Sequence, residues 1–206
     1  MRQGHAESGP EALAVALAQA GLIQFGHFEQ VAGAPWPVAI HLRWLPSYPA
    51  LLRRVAGELA PRVAAAGADR ILTTHDAIPL GTAVSLASEV PMVYPYGQVA
   101  DHTAAYAIEG AYDVGHPTLL LSDVLLGAEQ TRAIAALARR VGLDITLVLA
   151  ALDLGIGARE ELERDGFAVE TTVALPAALP QLEREGWLPA GMRAGVERWI
   201  AAQAGG

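Results

Sequence analysis

The chain has 206 residues, 52% of them apolar, and a formal net charge of −8. That length sets the expectation of one compact domain with a substantial core, and the acidic balance argues against a nucleic-acid surface, which needs clustered cations against phosphate. With no cysteine there is no disulfide, thiolate nucleophile or cysteine-bound metal, and with no lysine all 14 basic side chains are arginine.

No stretch approaches the roughly 18 uninterrupted apolar residues of a membrane span. The opening MRQGHAESGPEALAV lacks the basic head and apolar middle of a secretory signal. The expectation is therefore a soluble, cytoplasmic protein that binds neither membrane nor nucleic acid.

In chain order, Ser8-Gly9-Pro10-Glu11 matches a capping box with proline in the first turn, and Leu13, Val15, Leu17 and Ala20 carry a helix to Gly21. Leu22 to Phe28, followed by Gly33, Pro35 and Pro37, reads as a short extended turn over the edge of the core. Val38, Ile40 and Leu42 alternate with polar or small residues as a half-buried strand. Ser47 is placed to cap a helix with Leu51, Leu52, Val55, Leu59 and Val63 as its stripe, and Pro61 should kink or split that helix.

From Asp69 strands and helices alternate. Arg70 to Thr74 is a strand, His75-Asp76-Ala77 a loop, Pro79 to Ser88 a helix and Val90 to Tyr96 the next strand. Gly97 to Thr103 is polar and unpatterned, a loop, before a short extended piece at Ala104 to Ile108. Thr118 to Leu121 is the central buried strand, ended by Ser122-Asp123, and Ile134, Leu137, Ala138 and Val141 stripe the helix beyond the loop. Asp144 to Ala151, a charged helix ending near Gly166, and Phe167 to Leu175 complete the core; a helix near Arg193 to Ala202 closes the tail. Such alternation implies a parallel sheet with helices on both faces and a ligand site at the carboxyl ends of the strands, where a helix N-terminus receives anions.

Five pieces in this order resemble the type I phosphoribosyltransferases, and most closely orotate phosphoribosyltransferase. They are Gly21 to Phe28, Ile78-Pro79-Leu80, Pro91-Met92-Val93-Tyr94 ahead of the loop with His102, Leu119 to Val124, and Ala151-Leu152-Asp153. The resemblance covers Ala12 to Leu175. It implies one α/β domain over residues 1–206: a small N-terminal hood at 10–45, a core at 47–175 with a central, mostly parallel five-stranded sheet, and a helical tail at 176–206. It also implies phosphoribosyl transfer from phosphoribosyl pyrophosphate (PRPP), magnesium if the chain is active, and a homodimer.

Carried across by position, the resemblance places ligand contacts at Ser122 and Asp123, where the family has two acids for the ribose hydroxyls, and at Gly127, Ala128, Glu129, Gln130 and Thr131, where small and hydroxyl residues wrap the 5′-phosphate. It places others at Thr74, His75, Asp76 and Ala77 in the first ligand loop and at Phe25 and Gly26 beside the base. Asp101, His102 and Asp123 are the catalytic candidates; no metal ligand is assigned. The departures all remove cations or add acids. Leu126 offers no hydroxyl, Glu129 enters the phosphate loop, Gln24 and Leu154 stand where the family has lysine and arginine, and Tyr96 to His102 has neither cation. Two like unit charges ~4 Å apart at an effective dielectric near 20 cost about 4 kcal/mol. Glu129 is accordingly expected to stand in for phosphate at the helix end.

Three functions remain open: a non-catalytic sensor or partner subunit for a small nucleotide-like or sugar-phosphate ligand; an active transferase in which Arg43, Arg132 or a neighbouring subunit's arginine replaces the lysines; and a metal-assisted hydrolase using His75, Asp76, His102 and Asp123.

Overall fold

The computed structural model describes residues 9–30, 33–96 and 108–205. Ser8, the expected cap of the first helix, lies outside them, as do Asp101, His102 and the rest of the loop at Gly97 to Thr103. Helix α1 (Pro10–Gln19) instead begins behind Gly9, without a side-chain cap.

Leu22 to Phe28 is not a turn. It contains β1 (Ile23–Phe28), which pairs antiparallel with β2 (Trp36–Ile40), Ile23 opposite Ile40 and Phe25 opposite Val38. The register breaks between Phe25 and Phe28, and Gly26-His27 interrupts the apolar alternation that would mark a strand. Leu42, expected in the strand, falls in a 3-10 turn, Leu42–Ser47. Helix α2 (Pro49–Ala65) is capped at Tyr48 rather than Ser47, because Pro49 suits the first helical position and pushes the residue before it out of the helical region. Pro61 does not split α2. It forfeits one backbone bond while Val55, Leu59 and Val63 on the same helix stay buried, and that burial outweighs the defect.

The main sheet has six strands, not five, in the order β5-β4-β3-β6-β7-β8. They are β3 (Arg70–Thr73), β4 (Met92–Pro95), β5 (Ile108–Glu109), β6 (Pro117–Leu125), β7 (Asp144–Asp153) and β8 (Val169–Ala174). All neighbours are parallel except the two-residue β5, which returns antiparallel on β4. The intervening helices are α3 (Ile78–Ser88), α4 (Glu129–Arg140) and α5 (Ala158–Arg164). Strand β6 passes through the predicted Ser122-Asp123 boundary, because β7 continues to pair with it as far as Leu125 opposite Asp153.

One face of the sheet packs Leu119, Leu121 and Leu149 against α1, α2, α3 and the tail helices; the other packs Leu120 and Val148 against Ile134, Leu137 and Leu162 of α4 and α5. The tail holds two helices, α6 (Leu175–Arg184) and α7 (Arg193–Ala204). Both fall within the expected helical tail apart from the start of α6 at Leu175; Pro176 sits harmlessly in the first turn of α6 and Pro180 lies inside it. Trp199 of α7 lies 5.0 Å from Trp36 between ring centroids and fastens the hairpin to the domain. No described helix is long and apolar enough to cross a membrane.

Candidate functional site

The strand order reverses between β3 and β6, the place where a parallel sheet opens a crevice at its carboxyl edge. A cavity of about 350 Å³ lies there, within the range of small-molecule sites. Asp76 comes from the loop after β3, Asp123 and Val124 from the end of β6, and Leu126 and Gly127 from the loop beyond. Glu129, Gln130 and Thr131 form the first turn of α4, and the hairpin side supplies Ile40, Leu42 and Arg43.

Asp123 is the most constrained acid in the cavity. Its Oδ1 accepts the Val124 N–H at 2.9 Å. Burial raises its pKa above the ordinary carboxylate range; the Val124 hydrogen bond opposes that, Asp76 adds to it and Arg43 works against it. Asp123 is therefore a half-buried acceptor facing the cavity, held by one backbone bond, suited to a ligand hydroxyl.

Ser122 is buried, and its hydroxyl donates to the Val124 carbonyl at 3.1 Å; it is not part of the cavity lining. Ala128 is the buried N-cap of α4. Thr74 and Ala77 are fully buried in the turn after β3, where the Ala77 N–H donates to the Thr74 carbonyl at 3.2 Å. His75 lies in that turn and is not in the lining either. Phe25 and Gly26 lie within β1 and likewise miss the cavity. Asp76, Asp123, Gly127, Glu129, Gln130 and Thr131 are brought together as expected.

Neither Leu126 nor Glu129 fills the space: both side chains are exposed. Among the described residues no side-chain hydrogen bond caps the first turn of α4, so Glu129 stands at that helix end as an acid without a bonded partner there. Arg132 does not serve the cavity. Its guanidinium is bound to Asp165 at 2.5 Å and Glu161 at 3.0 Å, beside α5. Arg43 does line the cavity. Arg43 lies in the Leu42–Ser47 turn that follows β2 and packs against β6.

Among the described residues no group of three His, Asp or Glu side chains could hold a metal ion. Asp76 and Asp123 fit a hard cation such as magnesium only as two carboxylates assisted by ligand oxygens.

No family model matches the chain. Uridine 5′-monophosphate synthase of Bos taurus is 28% identical over 184 residues, covering 88% of this chain and 38% of that protein. The chain thus spans little more than a third of that relative. Orotate phosphoribosyltransferase of Pyrococcus horikoshii is 27% identical over 155 residues, covering 71% of this chain and 81% of its own length. The structure of Leishmania donovani UMP synthase superposes with a TM-score of 0.84 at 28% identity, over 95% of this chain and 43% of that one. The chain is a homologue of the orotate phosphoribosyltransferases and has the type I phosphoribosyltransferase fold.

Proposed function

We propose that this homologue of the enzymes that make pyrimidine nucleotides is a non-catalytic ligand sensor or partner subunit, one that has kept the cavity of the fold and lost the charge needed to handle PRPP. The observation that carries this reading is the charge of the cavity: Asp76, Asp123 and Glu129 face it with Arg43 alone among described cations, in a chain without lysine. PRPP brings a pyrophosphate and a phosphate, and each like-charged contact near 4 Å costs about 4 kcal/mol at an effective dielectric near 20. The open volume favours a binding role over a closed relic. The cavity takes a nucleotide-like or sugar-phosphate ligand less charged than PRPP, Asp123 accepting from its hydroxyls. A homodimer belongs to the same reading.

Calorimetry with PRPP and magnesium, paired with a pyrophosphate-release assay over a panel of bases, tests it. The expected result is no turnover and no binding tighter than millimolar; micromolar binding with release of pyrophosphate overturns it. The alternative, an active PRPP-dependent transferase acting on orotate or another base, draws on one observation, that Arg43 stands where it can meet an anion. Pyrophosphate release abolished in Arg43→Ala would establish that alternative.

A further inference from the structure

Resting on the reading of an open ligand cavity, the geometry points to one determinant of what enters it: we infer that Arg43 selects a ligand carrying a single anionic group, a carboxylate or a phosphate monoester, on a hydroxylated scaffold.

Several arginines of this chain are committed elsewhere, and among the described ones Arg43 alone lines the cavity. Arg62 pairs with Glu170, Arg132 with Asp165 and Glu161, Arg159 with Glu163, and Arg193 with Glu183 and Glu197. Arg70 donates to the carbonyls of Ala111 and Asp69. Arg139 lies over the Phe167 ring, 5.3 Å from its centroid. Arg43 is exposed, makes no hydrogen bond or ion pair among the described residues, and lines the cavity. It is near enough to Asp123 to act on that carboxylate through the field, yet the two are not bonded. A guanidinium presents a planar fork of donors that a carboxylate or phosphate matches in pairs. Left unsatisfied in a concave site, it marks where a ligand's anion docks.

The rest of the wall limits the ligand to one such group. Asp76 comes from the loop after β3, Glu129 from the first turn of α4 and Asp123 from the end of β6, so a second anionic group within this volume meets a carboxylate with no cation to offset it. Only Arg2 lies outside the described residues, and residues 97–107 contain no basic side chain besides His102. The ligand therefore places its charge at Arg43 and its neutral hydroxyls toward Asp123.

The test is calorimetric titration of the full chain and of its Arg43→Ala and Arg43→Lys variants with uridine 5′-monophosphate, uridine 5′-carboxylate, uridine and PRPP. Circular dichroism confirms folding, which an exposed and unpaired side chain should not disturb. Losing a charge-assisted hydrogen-bond pair predicts binding of the monophosphate or the carboxylate about 10- to 100-fold weaker in Arg43→Ala, partial recovery in Arg43→Lys, unchanged uridine binding, and PRPP no tighter than the monophosphate. Which of the two anions binds tighter identifies the group. Equal affinity in wild type and Arg43→Ala overturns the inference while leaving the ligand-binding reading intact, as does PRPP binding ten times tighter than the monophosphate. Silence of all four probes toward the wild type overturns both.

Discussion

Asp123, two residues before the end of β6, and Asp153, the last residue of β7, lie on neighbouring parallel strands and share two local features. Each accepts one backbone N–H, from Val124 at 2.9 Å and from Gly155 at 2.8 Å. Burial raises the pKa of each above the ordinary carboxylate range. What differs is the space beyond them. Asp123 opens on the cavity, whereas Asp153 is 6% exposed and the turn after it is packed under the tail helices. A Cβ built on Gly155 would lie 2.5 Å from Pro176 Cγ. A buried, perturbed carboxylate at the end of a strand is thus no mark of a ligand site by itself; the cover decides. The tail closes one strand end and leaves the other for a ligand.

The largest effect should come from the two glycines behind these acids. Gly155 has φ +77° and no room toward Pro176, whereas a Cβ added to Gly127 would meet nothing within 4 Å, and the φ of Gly127 is not positive. Gly155→Val combines left-handed backbone strain with overpacking, together about 3 kcal/mol, a fall in melting temperature of roughly 6–12 °C for a chain this size. Gly127→Ala should stay within about 0.5 kcal/mol. Thermal unfolding of both decides; equal damage would break the comparison.

Next in size is the acid under the tail. Asp153→Ala leaves the Gly155 N–H without its acceptor, at a cost of about 1–3 kcal/mol, while Asp153→Asn keeps the acceptor and removes the charge. A raised native pKa means the folded state binds more protons than the unfolded one, so this group favours folding most at low pH. That contribution is lost as pH rises from the unfolded carboxylate value near 4 through the higher folded value. The stability of wild type minus that of Asp153→Asn should therefore fall with rising pH across that window, and Asp123→Asn should behave alike. Denaturant midpoints at a series of pH values measure it; a difference that grows with pH would show that one of these carboxylates is held charged by a partner.

Much of the core was legible because its signals are local. Thr118 to Leu121 and Asp144 to Ala151 are apolar runs of strand length, and both lie inside observed strands. The stripe of α4 and the acid at its first turn were equally plain. The hairpin was not, since Gly26 and the register break interrupt its alternation, and antiparallel pairing is a long-range fact that spacing alone does not carry. Missing it meant missing that Leu42 and Arg43 reach the end of β6. Ser122 illustrates the opposite error: position on the motif suggested a ligand contact, while the pleat turned its hydroxyl inward to Val124. Alternation assigns faces only once the end of a strand is known, and β6 runs longer than its composition suggests.

The smallest effect separates the helix N-termini that follow the two strands. Glu129 stands in the first turn of α4 and Glu160 in the first turn of α5, and each gains from its helix dipole about 0.3–1 kcal/mol. Glu129→Gln and Glu160→Gln should therefore lose similar, small amounts of stability. Only Glu129 faces the cavity, so only its neutralisation should strengthen binding of uridine 5′-monophosphate, by about 3- to 10-fold, the equivalent of about 0.7–1.4 kcal/mol of repulsion relieved. Calorimetry on the two variants side by side separates a stabilising charge from an excluding one. Equal ligand affinity in both would mean that Glu129 interacts with its helix dipole and does nothing to the ligand, which would leave Asp76 and Asp123 as the acids that keep a second anionic group out.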